Sequence, residues 1–153
     1  MNKLVQTTIG ALLLAAPSQA QGTFSYTKNY FCQPPTVSYL EVFPSLNEAT
    51  NTVSLDIEHY DLYASQGPGV PDSTFSVLFY ETNITPRPPI VGTGSLCLPN
   101  PSVLSVVVYN PSDLVAWHSA SMPLPQFSSR THFFQAYNRL SPTPTNAIAV
   151  FTN

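Results

Sequence analysis

The chain has 153 residues, enough for one domain and too few for two of ordinary size. Its formal charge is −3, and beyond residue 20 its basic residues are Lys28, Arg87, Arg130 and Arg139, scattered rather than clustered. Displacing counterions from phosphates or holding an anionic bilayer takes clustered Lys and Arg, so nucleic-acid binding and polybasic membrane attachment are excluded.

Residues 1–20 read as a cleaved secretory signal. Met1-Asn2-Lys3 supplies the charged start, Ile9 to Ala16 the apolar stretch, and Ser18 and Ala20 the small residues a signal peptidase needs. That stretch is far shorter than the ~20 residues that cross a bilayer. No Cys follows it to take a lipid anchor. The expectation is a mature chain of residues 21–153 without a transmembrane segment, secreted or held in the periplasm or cell envelope.

From there prolines and glycines cut the sequence into short pieces, among them Pro34-Pro35, Pro44-Ser45, Gly67-Pro68-Gly69, Pro99-Asn100-Pro101, Asn110-Pro111 and Pro123 with Pro125. Each proline removes a donor and clashes with the preceding helical turn. The pieces between them are rich in Val, Ile, Phe, Tyr and Thr, which is the strand signature. In chain order the predicted strands are 24–31, 37–43, 53–63, 75–82, 95–98, 103–109, 114–122, 132–138 and 146–152. The clearest is 53–63, where Val53, Leu55 and Ile57 alternate with Ser54, Asp56 and Glu58, giving one dry and one wet face. In 75–82, Phe75, Val77 and Phe79 oppose Leu78 and Tyr80, so that strand is expected to be covered on both faces. In 103–109, Leu104, Val106 and Val108 share a face.

About nine short strands, with short loops and no sustained helical period, imply antiparallel pairing. The fold class is therefore all-β, an antiparallel β-sandwich, with a closed β-barrel as the alternative. The loops 64–73 and 83–94 are the longest. Cys32 and Cys97 allow one intrachain pairing in an oxidising compartment, and two buried free thiols are the other reading. Neither has a CxxC partner or a neighbouring His, which argues against a metal or redox role.

Polar residues concentrate at Asp56-Ile57-Glu58-His59-Tyr60-Asp61. On a strand His59 and Asp61 share one face and Asp56 and Glu58 the other. Calcium needs six to eight converging oxygens and zinc three or four ligands, so the segment reads as a solvated strand face ending in a turn rather than as a metal site. No cofactor is called for. His59, His118 and His132 are widely separated, no Gly-x-Ser-x-Gly elbow is present, and Ser119 beside His118 points to the opposite face. A pair drawn from Glu41, Glu58 and Glu81 could straddle a glycosidic bond, but nothing in their spacing singles one out. Eight Tyr, nine Phe and one Trp fill cores in small β domains and also stack on sugars. Tyr60, Tyr63 and Trp117 fall near strand ends or polar faces. The sequon Asn83-Ile84-Thr85 is followed directly by Pro86.

Three blocks form a pattern: Gly92-Thr93-Gly94-Ser95-Leu96-Cys97-Leu98, Phe133-Phe134-Gln135-Ala136-Tyr137-Asn138-Arg139 and Thr145-Asn146-Ala147-Ile148-Ala149-Val150-Phe151. Together they resemble a secreted bacterial β-sandwich domain of uncharacterised function, departing from it at Asn138 and Leu140. The resemblance implies an exported, envelope or extracellular module and brings no activity with it. The expectation is a secreted, non-catalytic structural, adhesive or ligand-binding module, with carbohydrate or cell-envelope components as partners. An extracellular hydrolase acting on polysaccharide or peptide is the alternative.

Overall fold

The computed structural model describes residues 24–32, 38–61, 69, 71, 73–85, 96–138 and 144–153. Residues 1–20 (expected to be a secretory signal), Tyr63, Arg87, Arg139, Leu140 and most of the two long loops lie outside the described residues.

Among the described residues there are eight strands: β1 Tyr26–Phe31, β2 Ser38–Asn47, β3 Thr52–Asp61, β4 Thr74–Thr82, β5 Ser102–Tyr109, β6 Val115–Pro123, β7 His132–Asn138 and β8 Ala147–Thr152. They form two antiparallel sheets, ordered β1-β8-β7-β4-β5 and β2-β3-β6. The chain is an all-β sandwich, and among the described residues no barrel closes. β2 runs straight through Pro44, where the sequence suggests a break, because β2 is an edge strand and an edge tolerates a missing N–H.

Two corrections concern the second proline-rich half. The predicted strand 95–98 is not one: the described residues 96–100 are irregular and lie across the outer face of the five-stranded sheet. Two helical turns also interrupt the strands, η1 at Pro111–Asp113 and α1 at Leu124–Ser128. Each carries proline in its first turn, the one helical place where the lost N–H has no partner to lose.

Between the sheets Leu40, Val42, Val53, Leu55, Ile57, Leu78, Phe134, Ile148 and Val150 meet Phe127 of α1, all fully buried. The alternation of β3 supplies three of these at no cost in local conformation. Asn146 fastens the two sheets together: its Oδ1 accepts from Leu40 N at 2.8 Å and its Nδ2 donates to Leu40 O at 3.2 Å. The side-chain amide thus stands where a neighbouring strand would.

A second, smaller cluster lies outside the five-stranded sheet. Cys32 and Cys97 form a disulfide, with their Cα atoms 6.5 Å apart. It holds Cys97 and Leu98 against Phe133, Ala147 and Ala149. Gln135 secures the same strap, accepting from Cys97 N and donating to Thr145 O, both at 2.8 Å. The strap reaches Phe79 and stops there. Phe75 is therefore 36% exposed, and the expectation that β4 is covered on both faces holds for only part of its length.

Beyond β4, the register of β5 shifts: Leu78 faces Ser105, and Phe79 faces Val103. Leu104 is the extra residue of a bulge, and a bulge reverses the face of what precedes it. Val103, rather than Leu104, therefore continues the outer row of Val106 and Val108.

Candidate functional site

The alternation of β3 carries on past Ile57, so His59 and Asp61 also point between the sheets, and both are fully buried. The reading of this segment as solvated holds for exposed Asp56 and half-buried Glu58 and fails for these two. What makes their burial tolerable is a set of polar partners from other strands. Ser38 Oγ lies 2.9 Å from His59 Nε2, and His59 Nδ1 lies 2.6 Å from Ser76 Oγ. Ser76 Oγ is in turn 2.8 Å from His118 Nε2, whose Nδ1 is 3.0 Å from Ser105 Oγ.

Each imidazole in this row sits between two hydroxyls. Burial, with His118 adding a smaller repulsion, lowers the His59 pKa to about 3, and burial lowers that of His118 to about 4. Both rings are neutral near pH 7, so each has one donor and one acceptor nitrogen. Ser76 has a single proton and must donate to one ring while accepting from the other. All bonds in the row therefore run the same way, from Ser38 to Ser105 or the reverse.

The partners of both rings in this row are serine hydroxyls. Asp61 instead accepts from Tyr109 OH at 3.3 Å and from Asn138 Nδ2. The third histidine, His132, is elsewhere: its Nε2 donates to Phe127 O at 3.0 Å and its Nδ1 accepts from Tyr80 OH at 2.8 Å. Burial lowers its pKa too. Ser119 is exposed while His118 is 3% exposed, in line with their opposite faces. These Ser, His and Asp side chains thus brace the interior of the sandwich. Among the described residues no group of three His, Cys, Asp or Glu side chains could hold a metal ion.

The opposite, outward face of the three-stranded sheet is different in kind. Pairing aligns Tyr39 with Tyr60 and Val115, Glu41 with Glu58 and Trp117, Phe43 with Asp56 and Ser119, and Ser45 with Ser54 and Ser121. Trp117 is 61% exposed, and Tyr39 and Phe43 are about 40% exposed. Tyr39 and Tyr60 stack with ring centroids 4.4 Å apart and planes within 9°. Next along the same face from Trp117, a shallow depression of about 390 Å³ is lined by Ser54, Leu55, Asp56, Ser119, Ala120 and Ser121.

Glu41 and Glu58 are direct cross-strand neighbours, an arrangement that repels unless each finds a partner. Lys28 Nζ reaches Glu41 Oε2 at 2.9 Å, and Tyr30 OH donates to Glu41 Oε1 at 2.9 Å. Lys28 also lies 4.9 Å from the centre of the Phe43 ring. Tyr60 OH donates to Glu58, which pushes the Tyr60 pKa up to about 12. Glu81 is apart from this pair, on the other sheet, where it accepts from Asn100 N. Asn83 of the sequon is exposed in a left-handed conformation, and its Oδ1 accepts from Thr131 N at 3.1 Å.

Of the residues singled out by sequence, Tyr60, Trp117, Glu41 and Glu58 come together on this face. Tyr39, Phe43 and the serines of the depression carry no local signal of their own. They are found only through register, since each joins the row of a residue on a neighbouring strand. No family model, curated protein or solved structure matches the chain.

Proposed function

We propose that the protein is an exported, non-catalytic binding module that takes a neutral polysaccharide on the outer face of its three-stranded sheet. The observation that carries this reading is the exposed Trp117 side chain beside a depression floored by hydroxyls and one carboxylate. A sugar ring offers an apolar face of C–H groups and a rim of hydroxyls. An indole suits the first, and Asp56, Ser54, Ser119 and Ser121 suit the second. Catalysis finds less support, because the buried histidines are shut away from this face and the adjacent carboxylates are tied to Lys28, Tyr30 and Tyr60.

Export is part of the proposal. It rests on the pattern of residues 1–20 and on the disulfide, which persists in oxidising surroundings. No helix among the described residues is long and apolar enough to cross a membrane. The likeness of the three sequence blocks to an exported β-sandwich points the same way.

The test is a glycan array with the purified protein, followed by titration of each hit against Trp117 emission, which is unambiguous because the chain has one Trp. Binding that shifts this emission and is lost in Trp117→Ala supports the reading. Silence across the array, binding indifferent to Trp117→Ala, or release of cleaved sugar defeats it.

A further inference from the structure

The five-stranded sheet ends in β5, which among the described residues pairs only with β4. Sheet edges invite another strand, and proteins guard them with charge or proline. β1, the opposite edge of this sheet, carries Lys28, and β2 carries Glu41 and Pro44. β5 has the sequence Ser-Val-Leu-Ser-Val-Val-Val-Tyr, without a charge, a proline or a glycine. It is also the most exposed apolar segment described: Val108 is 71% exposed, Val106 58%, Val103 57% and Leu104 38%. The patch runs on without interruption to Phe75, which pairs with Val108 on β4.

We infer that β5 is the interface between two copies of this chain, joined edge to edge so that their five-stranded sheets become one. Three features select a second copy over another partner. Antiparallel pairing of a strand with itself has two-fold symmetry, the symmetry of a closed dimer. An uncharged strand meets no like charge across that axis, whereas it offers nothing to a partner recognised by charge. Side chains opposite each other must also share a face. With the axis through Val107, Val106 of each copy faces Val108 of the other, and both belong to the outer row. The inner side of β5 remains packed on β6, where Ser105 meets His118, so the dimer needs no rearrangement. This inference is independent of the polysaccharide reading, whose face lies on the other sheet.

The test is sedimentation velocity of the purified protein over a wide concentration range, beside Val106→Lys. The unaltered protein is expected to pass from monomer to dimer and no further. Val106→Lys places two like charges near the axis and is expected to weaken the dimer at least tenfold; the side chain is exposed, so the fold is retained. Hydrogen exchange needs no substitution: amides of Ser102–Tyr109 gain protection as the dimer forms. A monomer at every concentration, open-ended association, a dimer indifferent to Val106→Lys, or protection confined to other strands overturns the inference.

Discussion

Ser76 Oγ lies 2.6 Å from Nδ1 of His59, inside the sandwich and out of reach of solvent. It also bonds His118, so one hydroxyl serves two buried rings. Ser76→Ala strands Nδ1 of His59 and Nε2 of His118 together. A buried polar atom without a partner costs about 1–3 kcal/mol, so a loss of about 2–5 kcal/mol is expected. The urea midpoint of unfolding measures it. A loss below about 1 kcal/mol would mean the row contributes little.

The same rings make the fold sensitive to acid. Their pKa values stand at about 3 for His59 and about 4 for His118 in the folded protein, against 6.5 for an ordinary histidine. The unfolded chain therefore binds more protons below pH 6.5, and stability falls as the pH drops through that value. The linkage relation gives about 2 kcal/mol lost per ring between pH 7 and pH 5. The loss continues until the folded rings themselves protonate. Denaturant titrations at the two pH values test this, and His59→Gln is expected to remove about 2 kcal/mol of the dependence, the share of one ring.

Reducing the Cys32–Cys97 bond opens a loop spanning a sequence separation of 65. A loop of that size is worth roughly 4 kcal/mol in the chain-entropy model. The double variant Cys32→Ser, Cys97→Ser is expected to lose about 2–5 kcal/mol. Because Cys97 and Leu98 cover Phe133 and Ala149, binding of a hydrophobic dye should rise at the same time. Calorimetry with and without reductant reads the first effect and dye fluorescence the second.

Asn146 replaces a missing strand neighbour for Leu40 with two hydrogen bonds. Asn146→Ala leaves both backbone groups of Leu40 buried and unpaired, with an expected loss of about 2–4 kcal/mol. Asn146→Asp keeps the acceptor but sets a buried carboxylate oxygen against Leu40 O, so it should lose at least as much as Asn146→Ala. Thermal unfolding of the three proteins in parallel checks the order.

Much of this architecture is legible in the residues. Val53, Leu55 and Ile57 announce β3, and the bounds of β7 follow from its aromatic run between polar residues. The sandwich itself follows from many short strands and few helices. Other features carry no local mark. The bulge at Leu104 exists because β5 must match β4, and the burial of His59 and His118 depends on Ser38, Ser76 and Ser105 from three other strands. Alternation fixes which way a side chain points, while its polarity says nothing about whether partners await it. The helical turn at Leu124–Ser128 was hidden by prolines that read as breakers but sit where a first turn accepts them. Trp117 was legible as a candidate, whereas the hydroxyl floor beside it was not, since serines become a site only once two strands align them.

β8 lies between β1 and β7, so among the described residues β1 has no sheet neighbour until β8 exists. Asn153, just past β8, closes the same seam by donating its backbone N–H to Ser25 O at 3.3 Å. A strand near the start of the chain therefore waits for one at its end. Tyr26–Phe31 is made early and pairs only once β8 has followed, a long-range closure of the kind that slows folding. In the interval it is a bare strand, open to a chaperone or to a neighbouring nascent chain.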